Sequence, residues 1–270
     1  METLKFIIST SLQNRFFDRF LCKHDIEMLN IINNMIETDE IDNIKIKNCD
    51  CHSLLSYCAA NGYLDCIKYL HMRSSTEDKR SLAGSENKLL LDKEACENAA
   101  RGHLDCLVYL HENGCPWSVA VCTMAASGHL DCLKYLHENG CPWDEKICTY
   151  AASGHLDCLI YLHENGCPWS VAVCANAARG HLDCLKYAYE NGCPWNEWIC
   201  VYAASGHLDC LKYAYENGCP WSVAVCTFAA KGHLDCLKYA HENGCPWNEW
   251  VCIIASRGHL DCLIYLHENG

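Results

Sequence analysis

Apolar and polar residues recur along this chain with a fixed period of 26 residues. A related string, GYLDC, begins at Gly62, and the string GHLDC begins at each of a series of later glycines: Gly102, Gly128, Gly154, Gly180, Gly206, Gly232 and Gly258. A constant period of about 20–50 residues is typical of solenoids and other repeat arrays. The whole chain is therefore best interpreted repeat by repeat.

One repeat, residues 128–153, shows which elements the pattern predicts. It reads GHLDCLKYLHENG followed by CPWDEKICTYAAS. In the first half, Leu130, Leu133, Leu136 and His137 fall on one face of a helix with 3.6 residues per turn. This spacing predicts a helix of about eleven residues with one buried face.

Glycine, proline and small polar residues mark where each helix ends and the next begins. Gly140 stands where a left-handed C-cap is expected, and Pro142 follows where no helix could continue. A second helix then starts at Asp144. Its counterparts also belong to the preferred N-cap set: Ser118, Ser170, Asn196, Ser222 and Asn248.

No segment of the repeat alternates with a period of two, so no strand is predicted. Each repeat is predicted to be two short antiparallel helices joined by tight turns. A single pair of this size cannot bury its apolar face alone, so neighbouring pairs must stack. The predicted fold class is all-α, a solenoid of stacked antiparallel helix pairs.

The segment Ala151–Asp157, AASGHLD, followed by CLIYLHENG resembles the ankyrin repeat. The resemblance covers roughly Cys51–Gly270. The repeat is 26 residues long instead of about 33, and the TPLH motif is missing, which implies that the β-hairpin finger is reduced to the CPW turn. Similar short repeats occur in tandem arrays of protists and large DNA viruses. The resemblance implies a cytoplasmic protein-interaction scaffold whose first helices line a concave partner-binding face.

Departures from the period suggest four segments. Residues 1–50 are interpreted as degenerate N-terminal capping helices, with a separate docking module, such as an F-box-like helix bundle, as the alternative. Residues 51–72 form a first ankyrin-like repeat, 73–89 an inserted polar loop, and 90–270 the regular array.

Composition excludes several classes of partner. The chain carries 21 Lys and Arg against 34 Asp and Glu, a net charge of −13, which argues against nucleic acid or an anionic membrane. No apolar stretch approaches the roughly 18 residues of a transmembrane helix. The N-terminus lacks the basic start of a signal peptide, so we expect an intracellular protein.

The 25 cysteines are an odd number and follow the repeat. Their spacings lack the close Cys pairs of structural zinc sites, so we interpret them as small buried apolar residues. A repeated metal-binding Cys/His array remains the alternative. Equivalent cysteines of adjacent repeats should lie about 8–10 Å apart, too far for a disulfide. So many thiols fit a reducing compartment.

Catalysis is not expected. His129, Asp131 and Cys132 could be drawn as a nucleophilic set, but residues this close in sequence do not face one another on a helix. No glycine-rich phosphate loop is present. We therefore predict no catalytic residue, no metal ligand and no cofactor, and we expect His129 and its counterparts to bond neighbouring loop backbone.

Function is expected where the repeats differ. Variation falls at the start of the first helix and just before its Ala-Ala pair. The candidate partner-binding residues are Met124, Lys146, Tyr150, Asn176, Trp198, Tyr202, Phe228 and Trp250. Packing between repeats is the alternative role for these residues, for Phe228 in particular. A protein partner is expected, with end-to-end self-assembly through the C-terminal helix pair as the second hypothesis.

Overall fold

The computed structural model describes residues 51–77, 91 and 93–270. These residues form sixteen helices and, among themselves, no strand: α1 Cys51–Ala60, α2 Leu64–Glu77, α3 Lys93–Ala99, α4 Leu104–Glu112, α5 Val119–Ala126, α6 Leu130–Glu138, α7 Lys146–Ala151, α8 Leu156–Glu164, α9 Val171–Ala177, α10 Leu182–Glu190, α11 Trp198–Ala203, α12 Leu208–Glu216, α13 Val223–Ala229, α14 Leu234–Glu242, α15 Glu249–Ala255 and α16 Leu260–Asn269. The prediction of an all-α fold made of repeated helix pairs is confirmed.

The chain divides into two compact units, Met1–Trp117 and Ser118–Gly270. We call these the N-terminal and the C-terminal unit, and α5–α16 belong to the latter. Within the C-terminal unit, each odd-numbered helix packs against the even-numbered helix that follows it and against the next odd-numbered helix. We call the odd-numbered helices first helices and the even-numbered ones second helices.

The structure corrects the predicted segments at residues 73–77. Helix α2 continues to Glu77, so residues 73–77, which we had assigned to the inserted loop, are helical. Residues 78–89 and the expected capping helices at 1–50 lie outside the described residues. The division after Trp117 falls within the segment 90–270. None of the helices described is both long and apolar enough to cross a membrane.

The sequence Glu-Asn-Gly ends the second helices α6, α8, α10, α12 and α14 in the same way. Gly140 has a φ of 78° and donates its N–H to the carbonyl of His137, while Cys141 donates to the carbonyl of Leu136. These two bonds form a Schellman motif, which requires the left-handed conformation that glycine adopts without strain. The predicted C-cap is confirmed.

The first helices begin in two ways. The side-chain oxygens of Asp144, Asn196 and Asn248 accept the backbone N–H two residues later, at 3.0–3.1 Å, as the N-cap prediction requires. Ser170 and Ser222 occupy N-cap positions but make no side-chain capping bond. Only their backbone carbonyls accept a helical bond, so the prediction is wrong for the two serine side chains.

A Gly-His pair lies in the turn between the first and the second helix of a repeat, and it contacts the next repeat. Gly154 has a φ of 107°, and the imidazole of His181 in the next repeat lies directly on it. A Cβ placed on Gly154 would come within 2.9 Å of His181 Nδ1. The same contact joins Gly128 to His155. The expected bond to loop backbone occurs at His103, whose Nε2 lies 2.9 Å from the carbonyl oxygen of Ala60.

The tryptophan of each CPW turn packs against second helices. Trp143 stacks on His137 with ring centroids 4.0 Å apart, and His137 Nδ1 lies 2.9 Å from the hydroxyl of Tyr161 on the next second helix. Trp247 and His241 repeat the stack at 3.9 Å. The turn is thus part of the contact between repeats.

Leucine, alanine and cysteine fill the core between the helix layers of the C-terminal unit. Leu133, Leu159, Cys148 and Ala151 are fully buried, as are their counterparts in most repeats. Because each pair buries its apolar face against its neighbours, the stability of the unit depends on contacts between repeats.

Candidate functional site

The first helices of the C-terminal unit expose aromatic side chains on every second repeat. Tyr150 is 48% exposed, Trp198 46% and Trp250 59%. Lys146, Trp198 and Trp250 occupy the same position of the repeat, and Ala172 and Ala224 stand there in the repeats between. We call Lys146, Tyr150, Trp198 and Trp250 the aromatic face; its three rings cannot be explained by core packing.

Tyr202 and Phe228 are only half-buried, and each carries a cation on its ring. The guanidinium carbon of Arg179 lies 4.5 Å from the ring centroid of Tyr202, and the Nζ of Lys231 lies 3.8 Å from that of Phe228. Trp198 and Tyr202 share one helix, with ring centroids 6.1 Å apart. These rings present a mixed aromatic and cationic surface beside the aromatic face.

Two of the predicted partner-binding residues, Asn176 and Met124, are less exposed than the aromatic face. Asn176 donates its side-chain N–H to the carbonyl of Thr149 in the preceding repeat at 3.0 Å, and Met124 is half-buried. The bond of Asn176 joins α9 to α7, so this side chain contributes to the contact between repeats. Lys146 is exposed, and its own backbone N–H is held by Asp144.

Sequence reasoning missed the cations. Arg179, Lys231 and Arg257 follow the Ala-Ala or Ala-Ser pair, at a position where other repeats carry serine, such as Ser153 and Ser205. This alternation was an available signal for Lys231, which follows Phe228 by one turn, whereas Arg179 belongs to the repeat before Tyr202. The positive charges lie in the turns that follow first helices, although the chain as a whole is acidic.

Buried thiols form a second recurrent feature of the C-terminal unit. The neighbouring Cys141 in the following CPW turn, together with burial, raises the pKa of Cys122 on α5 well above its usual range. Among the described residues, no three His, Cys, Asp or Glu side chains come together as metal ligands would. Those residues thus offer no zinc site of the four-ligand kind.

No family model matches the sequence, and no curated protein matches it. Among solved structures, one match is the crystal structure of the pentatricopeptide repeat protein PPR10 from maize, with 15% sequence identity and a TM-score of 0.35. The match covers 99% of this chain and 43% of that protein, so this chain spans less than half of its length. The chain is an all-α helical repeat protein, defined by its own 26-residue helix pair.

Proposed function

We propose that the protein is a non-enzymatic scaffold of the ankyrin kind, which binds another protein through the aromatic face of its C-terminal unit. The observation that carries this proposal is the exposure of Tyr150, Trp198 and Trp250 on one layer of helices. Tryptophan and tyrosine are enriched among the residues that dominate binding energy at protein interfaces.

The fixed and the variable positions of the repeat have different roles. Leucine, alanine, glycine and histidine at fixed positions are engaged in contacts between repeats, whereas large exposed rings occur where the repeats differ. Trp198 and Trp250 lie two repeats apart, about 16–20 Å if adjacent first helices pack at the usual 8–10 Å. A partner that contacts both rings must therefore span several repeats.

A protein partner is favoured over nucleic acid. The net charge of −13 disfavours a polyanion. The cations beside the aromatic face are already placed over tyrosine and phenylalanine rings, where they support contacts with carboxylates of a protein. Buried cysteines of the C-terminal unit that form no disulfide, such as Cys148 and Cys174, support a reducing compartment.

The test is affinity capture from the native cell with mass spectrometry. The bait carries Trp198→Ala and Trp250→Ala, and the matched control carries Glu164→Ala and Glu216→Ala, which change exposed residues of second helices. We expect the tryptophan variant to keep its helical circular dichroism and to lose at least about tenfold of its principal partner. Equal recovery with all baits would contradict the assigned face.

A second candidate function is end-to-end association through the last helix pair. Leu260 is 65% exposed and Ile264 46%, and Cys252 is exposed although the equivalent Cys226 is fully buried. Gly258 has open space where other repeats hold a histidine ring. This surface has the apolar character of a contact between repeats.

Analytical ultracentrifugation over a range of concentrations separates the two functions. Self-association should increase with concentration and be abolished by Leu260→Glu with Ile264→Glu, whereas Trp198→Ala should leave it unchanged. A single monomeric species at all concentrations would exclude this second function and would leave the partner-binding proposal intact.

A further inference from the structure

The first helices of the C-terminal unit differ from the second helices in charge. The second helices, from α6 to α16, carry twelve acidic and four basic residues. The first helices, from α5 to α15 and extended to the residue before each Gly-His pair, carry four basic residues and one acidic residue, Glu249. Asp144, Glu145 and Glu197 stand just before these helices begin. Positive charge is thus concentrated on the first-helix side, mostly at the helix ends.

Three of these cations stand at the same position of the repeat, directly before the Gly-His pair, and all three are exposed. We call Arg179, Lys231 and Arg257 the cation row. Trp250, Ile254 and Arg257 occupy positions i, i+4 and i+7 of one repeat, a spacing that places residues along one side of a helix. The cation row therefore continues the side of the first helices on which the aromatic face lies.

Arg179 connects the cation row to the aromatic face through Tyr202. The guanidinium carbon of Arg179 lies 4.5 Å from the ring centroid of Tyr202, which in turn lies 6.1 Å from a ring centroid of Trp198. Contact with a ring uses the flat side of the guanidinium, whereas its N–H groups point outwards in its plane. This edge can bind a carboxylate through two parallel hydrogen bonds. Because Arg179 is exposed, a carboxylate of another molecule can reach it.

The second helices also hold lysines over rings, but among carboxylates. The Nζ of Lys186 lies 5.9 Å from the ring centroid of Tyr213, and the hydroxyl of that tyrosine lies 3.5 Å from Oε1 of Glu190. Lys212 lies over the ring of Tyr239 at 5.7 Å. Because each second helix carries two acidic residues, a carboxylate of a ligand is attracted less to these lysines than to the cation row.

We propose, building on the partner-binding role proposed above, that the partner presents an acidic segment to this side of the C-terminal unit. Its carboxylates contact the cation row, and its apolar side chains contact Trp198 and Trp250. The cation row extends from the end of α9 to the end of α15, about 24–30 Å if adjacent first helices pack at 8–10 Å. An extended chain covers this distance in about seven to nine residues.

A peptide fits this arrangement better than a nucleic acid does. A nucleic acid strand carries one negative charge per roughly 3.4 Å, so three separate cations neutralise few of its phosphates. The acidic residues Asp144, Glu145 and Glu197 at the helix starts would repel the remainder. A peptide can place carboxylates at the spacing of the cation row and leave its other side chains uncharged.

The first experiment lets the chain select its own ligand. Random peptides of about twelve residues, long enough to span the cation row, are displayed on phage and selected on the full chain. We expect the selected peptides to contain more acidic than basic residues, together with an aromatic or large aliphatic residue. Selection of neutral or basic peptides, or of none, would overturn the acidic ligand. Neutral peptides that still require Trp198 and Trp250 would leave the partner-binding role intact.

The second experiment measures the most enriched acidic peptide by fluorescence anisotropy against two triple variants. One variant replaces the cation row by glutamine. The matched control makes the same replacement at three cations that lie over tyrosines of second helices: Lys186, Lys212 and Lys238. The two variants have the same net charge, and circular dichroism checks that both remain folded.

Replacing the cation row should weaken peptide binding at least about tenfold at low salt, and the control less than about twofold. Equal weakening by both variants would reveal unspecific attraction and overturn the proposal. So would a labelled single-stranded RNA that binds more tightly than the peptide and depends on the cation row. The Trp198→Ala, Trp250→Ala variant should also bind the peptide more weakly. Unchanged binding by this variant would instead contradict the role of the aromatic face.

Discussion

The imidazole of His155 lies on the backbone of Gly128 in the preceding repeat, so closely that a Cβ on the glycine would be 2.8 Å from Nδ1. The contact recurs at Gly154 with His181, Gly180 with His207, and onward to Gly232 with His259. The Gly-His sequences that begin at Gly154, Gly180, Gly206 and Gly232 thus each receive a ring from the following repeat and supply one to the repeat before. Glycine serves both the turn and this contact.

Replacing Gly154 by alanine should destabilise the protein more than replacing Gly166. Both glycines have positive φ, 107° and 79°, so each alanine costs about 1–2 kcal/mol in backbone strain. Only Gly154 meets a ring, that of His181, whereas Gly166 has nothing within 4 Å. Urea unfolding should show an additional loss of about 1–3 kcal/mol for Gly154→Ala.

A double variant isolates the contribution of the ring. In the Gly154→Ala background, His181→Ala removes the clash, so the combined loss should be smaller than the sum of the two single losses by about 1 kcal/mol or more. Strictly additive losses would show that the imidazole does not press on this glycine.

Trp221 and Trp169 occupy equivalent CPW turns but differ in whether the indole N–H makes a hydrogen bond. The Nε1 of Trp221 donates to the carbonyl of Asn243 at 3.2 Å, while the Nε1 of Trp169 is buried and makes no hydrogen bond within the described residues. Trp221→Phe should therefore cost about 1 kcal/mol more than Trp169→Phe in the free energy of unfolding. Equal losses would count against the bond to Asn243.

The free energy of unfolding should decrease as the pH falls below 6.5, the ordinary pKa of histidine. Burial, followed by the neighbouring His233 and His181, lowers the pKa of His207 from 6.5, and burial likewise lowers that of His233. Between the folded and unfolded pKa values the unfolded state binds more protons, so the stabilisation present above pH 6.5 is lost on acidification. His207→Gln should flatten the dependence of the urea midpoint on pH between 7.5 and about 5.5; an unchanged slope would exclude this histidine as a contributor.

The fold follows from the sequence because its determinants are local and repeated. The spacing of Leu130, Leu133 and Leu136 defines a buried face, and Gly140 with Pro142 defines where the helix ends. Ser170 shows the limit of such reasoning: residue type predicts that a serine can cap a helix, but the rotamer that directs its hydroxyl depends on the surrounding structure.

The candidate site was predicted in part, for a physical reason. The repeat pattern identifies which positions vary, and this suffices to select Trp198 and Trp250. It does not show which atoms of other repeats lie beside them. The bond of Asn176 to Thr149 and the cation on Tyr202 each join residues of different repeats, so these contacts depend on how the repeats stack.

Site-specific photo-crosslinking in the native cell tests the partner-binding role of the aromatic face most directly. A benzophenone amino acid is placed at Trp198 or Trp250 on first helices, and at exposed Glu164 or Glu216 on second helices as controls. We predict that the two tryptophan positions crosslink to the same protein and that the control positions do not. Crosslinking of that protein from the second helices alone would contradict the account.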